Sequence, residues 1–496
     1  MNPATSSSSP SALRRPAPRA LLAALALPLL LSACAVQRPP AQVAAAAPAG
    51  WQAPLPHHGS VGDLARWWER QQDPLLVELI EAGQAVSPSV AQAATRLAQA
   101  RQARVNARAA LLPTLDGQGN VSRGFNESVG GIATNGQIGL QSSWEIDLFG
   151  GNAAASDAAR ERLAGAQAQW HEARVSVAAE VAQQYSSWRH CAQQLAVAES
   201  DARSRGETAR LSGESERAGF TAPATAALAD ASFSEGKVRA AQQRMQCEVD
   251  LKTLVALTGL DEPALRARLA AAGPLQPAPD ALFTIDSLPA QVLAQRPDVY
   301  AAEREVAAAS ADVGSAQAQR YPRLTLSGSI GRGQVRTRGT SVTSNVWSIG
   351  PLALSVPLFD GGQRAAQVDT ARAQYDEAAQ VYRATVRQAV SEVEQALVRL
   401  ASTAERSSDA QRAAAGYRQS FEATQARWRA GLASLVELED ARRAQLASET
   451  ALVTLQQERM AAWIALYRAA GGGWDAQQPP PPPPQALATG TGAAPR

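Results

Sequence analysis

Apolar and polar residues alternate along two pairs of stretches in this chain. From Thr114, Leu115, Gly117, Gly119 and Val121 alternate with Asp116, Gln118, Asn120 and Ser122. After a turn at Gly130-Gly131, Ile138, Leu140, Trp144, Ile146 and Leu148 face Gln137, Gln141, Ser143, Glu145 and Asp147. The second pair follows Pro322: Leu324, Leu326 and Ile330 against Thr325, Ser327 and Ser329, then Val346, Leu352, Leu354, Val356 and Leu358. A period of two predicts strands with one apolar face. Pro351 and Pro357 cannot donate to a ladder, which places them near the ends of the last strand or at a bulge. A half-buried soluble sheet is one reading, but each run can also cover the ~10 residues of a tilted membrane strand.

Between these stretches the period lengthens to threes and fours. Val368, Ala371, Tyr375, Ala378, Tyr382, Val386, Ala389, Val393, Leu397 and Leu400 form a coiled-coil seam. Leu163, Ala166, Trp170, Val177, Val181, Tyr185 and Trp188 form a second one. Residues 152–213 and 363–430 contain no proline, and as helices each reaches roughly 90–100 Å. Each ends at Arg-Ala-Gly, with Gly219 or Gly431, and a shorter apolar-periodic stretch follows.

The two halves match. Leu148-Phe149-Gly150-Gly151 answers Leu358-Phe359 and Gly361-Gly362, Pro113 answers Pro322, and Gly219 answers Gly431, at offsets of 209 to 212. Such a duplication makes each half one structural unit. The expected organisation is a signal at 1–33, a tether at 34–74 and a first repeat at 75–273. That repeat holds a helix, a hairpin at 114–148, a long helix at 152–213 and a return helix at 222–258. A connector at 274–295 leads to a second repeat at 296–473, with its hairpin at 323–359, long helix at 363–430 and return helix at 432–470. A tail at 474–496 carries six consecutive prolines.

The N-terminus changes the picture of charge. Arg14, Arg15 and Arg19 precede an apolar run from Ala20 to Leu31, too short to span a bilayer. Residues 1–33 carry three arginines and no acids, so their removal takes the formal charge from +2 to −1. Nothing then argues for nucleic acid. Leu31-Ser32-Ala33-Cys34 resembles a lipoprotein processing site, which makes Cys34 the lipidated N-terminus; an ordinary cleaved signal is the alternative. Ala35 in place of aspartate implies delivery to the outer membrane. Cys191 and Cys247 each lie 28 residues from Gly219, level on two antiparallel helices. In an oxidising periplasm that suggests a disulfide, with two buried thiols as the alternative.

Three motifs carry a family resemblance: Ser287-Leu288-Pro289-Ala290 leading to Arg296-Pro297-Asp298-Val299, the run from Pro357 to Gly362, and the segment from Arg429 to Arg443. With them the mature chain resembles TolC-like outer membrane factors, in particular lipoproteins of the NodT type. The resemblance implies a mainly α fold with a membrane β-barrel: a trimeric twelve-stranded barrel, a twelve-helix periplasmic tunnel and an equatorial belt. Strand geometry agrees that four strands cannot close, since small membrane barrels need about eight. The implied function is the exit duct of a tripartite efflux pump for small molecules or drugs. The implied partners are a periplasmic adaptor and an inner-membrane transporter, usually of the resistance-nodulation-division class. A type I secretion duct and a structural lipoprotein with a coiled-coil stalk are the alternatives.

The resemblance also implies a constricting gate after Gly431. Glu437 and Asp440 lie three apart on one helix face, and three copies make acidic rings that attract cations. Arg443 is placed to pair with Asp440, and Trp428 stands where relatives carry an aromatic residue. The alternative is a solvated face with ordinary charge pairs. Gly219 and Gly431 mark the turns expected to dock the adaptor. His57, His58, His171 and His190 cluster with no carboxylates or cysteines at metal spacing, so no metal, no cofactor beyond the lipid on Cys34, and no enzyme activity are expected.

Overall fold

The structure, a computed structural model, describes residues 36–47, 51–53, 73–127, 130–273, 293–294, 296–337 and 339–474. The export signal, Cys34, His57-His58, the segment Ser287–Ala290 and the proline tail lie outside the described residues. In chain order the elements are α1 (Pro74–Val86), α2 (Pro88–Ala109), β1 (Thr114–Asn126), β2 (Gly131–Ile146), α3 (Gly151–Arg217), α4 (Pro223–Thr258) and α5 (Glu262–Ala271). They continue as α6 (Pro297–Ala318), β3 (Arg323–Thr337), β4 (Thr340–Ser355), α7 (Gln363–Arg429) and α8 (Leu435–Ala469).

The duplication is written into these lengths. The long helices α3 and α7 each have 67 residues, and their starts at Gly151 and Gln363 are 212 residues apart. Several ends differ from the sequence expectation, each for a local reason. The long helix expected at 152–213 runs on to Arg217, where the glycine turn stops it. The helix expected from 432 starts at Leu435, because Ser434 accepts the Glu437 N–H as its N-cap. The hairpins end at Ile146 and Ser355 rather than at 148 and 359. Beyond them, Asp147 accepts from Ala153 N at 2.7 Å, and Asp360 accepts from Gly362 N and Arg364 N at 2.9 and 3.2 Å. Both aspartates therefore serve helix starts, whose N–H groups lack partners within the helix. Helix α5 was not legible as a separate element.

The chain divides into two compact units. The first, residues 1–41, 103–160 and 307–376, holds one antiparallel sheet in the order β1-β2-β3-β4. Register places Leu115, Val121, Ile138, Leu140, Ile330 and Trp347 on one face and Asp116, Gln118, Gln137, Gln141 and Ser329 on the other. The apolar face is open: Leu115, Val121, Ile138, Ile330 and Trp347 are all exposed. Gly139 and Gly331 are partners across β2 and β3, and a Cβ on either would come within 2.7 Å of the opposite strand's carbonyl oxygen. Pro351 sits where the β3–β4 register shifts between Leu326 and Gly328, a bulge that asks no N–H of it. In the same unit the N-terminal stretch is fastened rather than loose. Arg38 pairs with Asp157 at 3.1 Å, and the Pro39 and Pro40 carbonyls accept from Ser310 and Tyr375.

The second unit, residues 42–102, 161–306 and 377–496, is helical. Its core gathers Leu79 from α1, Val181 from α3, Leu254 from α4, Leu265 from α5, Leu397 from α7 and Trp463 from α8, all fully buried. The expected seam of the second long helix is buried here at Val386, Ala389, Val393, Leu397 and Leu400. Arg296 of the Arg-Pro-Asp motif closes the end of α8, donating to the Ala469 carbonyl at 2.9 Å while pairing with Asp298 and Glu392. No described helix is long and apolar enough to cross a membrane.

Candidate functional site

Two helix hairpins end in the same turn. Gly219 and Gly431 have φ of +79° and +74°, a region open to glycine without strain. Gly219 N donates to Glu216 O and Phe220 N to Ser215 O; Gly431 N donates to Trp428 O and Leu432 N to Arg427 O. These paired bonds satisfy the last carbonyls of α3 and α7, as in a Schellman ending. The residue after the glycine usually folds back on the helix. Here Phe220 and Leu432 are instead 87% and 70% exposed, so each turn displays one large apolar side chain.

Between the hairpin arms, Cys191 of α3 and Cys247 of α4 are joined in a disulfide with Cα atoms 5.5 Å apart. Gln243 donates to the Cys191 sulfur at 3.1 Å.

The four residues read as a gate occupy different environments. Glu437 is exposed and completes a capping box, its carboxylate accepting from Ser434 N at 2.7 Å. That backbone donor, followed by the Ser434 side chain, holds its pKa below the usual carboxylate value. Asp440 and Arg443 pair with each other on an exposed face, and Trp428 packs beside Phe421, Leu435 and Leu438. The structure brings Asp440 and Arg443 together, and it gives Glu437 to the start of its own helix.

A charged group that the sequence reading passed over lies on the opposite side of α8. Leu435, Leu438, Glu439 and Arg442 follow buried-face spacing, and all four are buried. Glu439 is shared between two guanidiniums. Arg205 of α3 donates to its Oε2 at 2.8 Å, and Arg442 reaches its Oε1. Arg205 also holds both oxygens of Asp201 at 3.0 and 2.9 Å. Ser232 of α4 donates to Glu439 Oε2 at 2.8 Å, and Arg442 donates to Thr208 at 2.9 Å and Ser204 at 3.2 Å. The Arg442 guanidinium lies 5.4 Å from the Phe421 ring centre on α7. Arg205 and Arg442 are 2% and 1% exposed, so they meet the two carboxylates almost without water, while a third guanidinium, the half-exposed Arg239, reaches Asp201 at 3.4 Å from the rim. Burial holds the Arg442 pKa below the ordinary guanidinium value while Glu439 pulls it back up. The signal in the sequence was a glutamate and an arginine occupying apolar-spaced positions after Leu435 and Leu438.

One unit thus carries an open amphipathic sheet and the other carries paired helix hairpins clasped through a buried charge cluster, the parts expected of an outer-membrane channel protein. The outer membrane efflux protein family model matches residues 79–260 and 288–472, and the chain belongs to this family. It is an outer membrane efflux channel, located in the outer membrane. Its relatives include the pyoverdine export outer membrane protein OpmQ of Pseudomonas putida, 30% identical over 92% of this chain and 98% of that protein. Outer membrane protein OprJ of Pseudomonas aeruginosa is 31% identical, over 92% of this chain and 96% of that protein. Among solved structures, the outer-membrane channel OprN is similar with a TM-score of 0.77 and 26% identity, covering 89% of this chain and 99% of that one. The Campylobacter jejuni CmeC channel shares the fold, with a TM-score of 0.76 at 21% identity over 90% of this chain and 96% of that one. The OprN and CmeC structures are of outer membrane channels, and no group of three or more metal-ligating side chains occurs among the described residues of this chain.

Proposed function

We propose that three copies of this chain assemble into the passive exit duct of a tripartite pump. The observation that carries this is the sheet. Its order leaves β1 and β4 without outer neighbours, and its apolar face is exposed along its length. In a bilayer, unpaired strand edges leave N–H and C=O groups with no partner, and only closure removes them. Three four-stranded sheets give twelve strands, and the same three copies bring their helix hairpins together as a tunnel.

The helix hairpin ends then face the periplasm, where Phe220 and Leu432 offer a repeated apolar contact for an adaptor protein. The energy source is an inner-membrane transporter, of the resistance-nodulation-division class, and the cargo is small molecules such as drugs. Lipid attached at Cys34 anchors the N-terminus. Arg205, Glu439 and Arg442 hold α8 against α3 and α4 in the closed duct, with Asp440 and Arg443 as a weaker exposed pair at the mouth.

The test is assembly and conduction. Purified mature protein is expected to sediment as a trimer and to form channels in planar bilayers. A folded monomer without channel activity would overturn the reading. The double variant Phe220→Ser/Leu432→Ser is expected to keep wild-type conductance while losing adaptor affinity by at least about tenfold. Unchanged adaptor affinity would remove both side chains from the docking surface.

A further inference from the structure

Three arginines stand on the apolar face of the sheet. Register aligns Arg123 of β1, Thr134 of β2 and Arg336 of β3 in one row. Alternation puts this row on the same face as Val121 and Ile138, and Arg332, four residues back along β3, on that face as well. All three arginines are exposed, and none has an ion pair among the described residues. The strand carboxylates, Asp116 and Glu145, lie on the opposite face. The face turned to lipid is therefore cationic in its charge, and the face turned to the lumen carries the acids.

Position along the strands makes this informative. An ionised side chain facing lipid is costly at the bilayer midplane and nearly free at the interface. All three arginines fall in the half of the sheet toward the strand ends at Asn126 and Gly131 and at Thr337 and Thr340. The other strand ends run into the helices, which the proposed duct places in the periplasm, so the turns lie at the outer surface. Arginine stems reach along apolar surface while the guanidinium stays at the headgroup level. Arg123 and Arg336 are two strand spacings apart, about 10 Å. Guanidinium forks match phosphate oxygens two at a time.

We propose that Arg123, Arg332 and Arg336 bind the phosphate groups of an anionic lipid in the outer leaflet. Arg123 and Arg336 grip one headgroup from two sides across Thr134, and Arg332 meets the deeper edge of the same lipid. The inference rests on the sheet lying in the membrane with its apolar face outward.

The test uses mature full-length protein in non-ionic detergent, with bis-phosphorylated lipid A as probe and native mass spectrometry as readout. Wild type is expected to retain lipid A, to lose it with added salt, and to hold dephosphorylated lipid A far less well. Inorganic phosphate is expected to compete poorly, which separates a lipid site from a simple anion site. The triple variant Arg123→Gln/Arg332→Gln/Arg336→Gln is expected to lose lipid A affinity by at least about tenfold for each arginine engaged. Arg323→Gln, on the lumen face, is expected to leave it unchanged. The corresponding triple lysine variant keeps the charge, and it should retain most of the binding if the glutamine variant does not assemble. Equal affinity for phosphorylated and dephosphorylated lipid A in the wild type would overturn the proposal, as would equal lipid A affinity in wild type and the triple glutamine variant. Oligomer size and conductance are measured on the same samples, so a failure of the duct reading is seen separately.

Discussion

Replacing Glu439 by alanine isolates what the buried cluster does. In the wild type, Glu439 neutralises Arg442 and shares the neutralisation of Arg205 with Asp201. The substitution leaves one carboxylate, Asp201, already shared with Arg239 at 3.4 Å, for two guanidiniums that are 2% and 1% exposed. Removing one partner of a buried ion pair destabilises by about 3–5 kcal/mol, chiefly through the charge left behind. The surrounding hydroxyls of Ser232, Thr208 and Ser204 cannot replace an anion. If the cluster exists only while α8 lies against α3 and α4, a loss of about 3 kcal/mol shifts the closed-to-open ratio by more than about 100-fold. Single-channel recording in planar bilayers is then expected to show higher resting conductance, and cells carrying the variant should become sensitive to large hydrophilic antibiotics. A second variant checks the cause. Glu439→Leu with Arg442→Met removes both charges and fills the volume with apolar groups, a replacement that is often neutral or stabilising for buried pairs. It is expected to return conductance toward the wild-type value. A folded Glu439→Ala channel with wild-type conductance would refute the reasoning. So would a double variant as leaky as the single one, because charge balance would then not be the cause.

Two further outcomes follow from other parts of the helical unit. The Cys191–Cys247 disulfide closes a loop with a sequence separation of 56, so Cys191→Ser/Cys247→Ser should lower stability by about 2–4 kcal/mol; identical unfolding of the wild type with and without reductant would contradict this. His171 lies against Trp170 and Trp474, with ring centres 4.9 and 6.4 Å away, and burial followed by the Arg174 charge lowers its pKa from 6.5 to about 4. The unfolded state therefore binds a proton below pH 6.5 that the folded state refuses, and stability falls as pH drops from 6.5 toward 4. Glu172, whose pKa is raised chiefly by burial, acts with the opposite sign at the acid end of that window. His171→Asn should flatten the melting-temperature profile between pH 6.5 and 4 relative to wild type, and parallel profiles would exclude His171 as the source.

Much of the fold was legible because two periods dominate it. The strand runs alternate, with one reset at the bulge beside Pro351, so a shift of one residue would turn the apolar set to the other face of the sheet. The long helices keep their seam for dozens of residues with no proline to stop them. What was not legible came from local competition for hydrogen bonds. The strands stop at Ile146 and Ser355 because the following aspartates serve helix starts, and apolar Leu148, Val356 and Leu358 continue the alternation past that point. The division between α1 and α2 depends on Ser87, whose extended backbone precedes a proline. Helix α5 is ten residues long, and its capping Asp261 follows closely on the end of α4.

The acidic pair expected at the gate and the buried cluster lie on opposite sides of α8 for a physical reason. Charged residues on a helix are expected to face water, and the sequence puts Glu437 and Asp440 on such a face as acidic rings, with Arg443 placed to pair with Asp440. The structure uses Glu437 to begin α8 and buries the neighbouring Glu439 and Arg442 instead. A duct that must stay shut against small solutes and still open when engaged needs contacts strong in one packing and absent in the other. An exposed pair such as Asp440 with Arg443 contributes little, because water replaces it at almost no loss. A carboxylate shared by two buried guanidiniums behaves differently, since any movement of α8 that breaks it must admit water to all three groups at once. Glu439 therefore ties α3, α4 and α8 together through buried bonds, whereas Asp440 and Arg443 form only an exposed pair on α8.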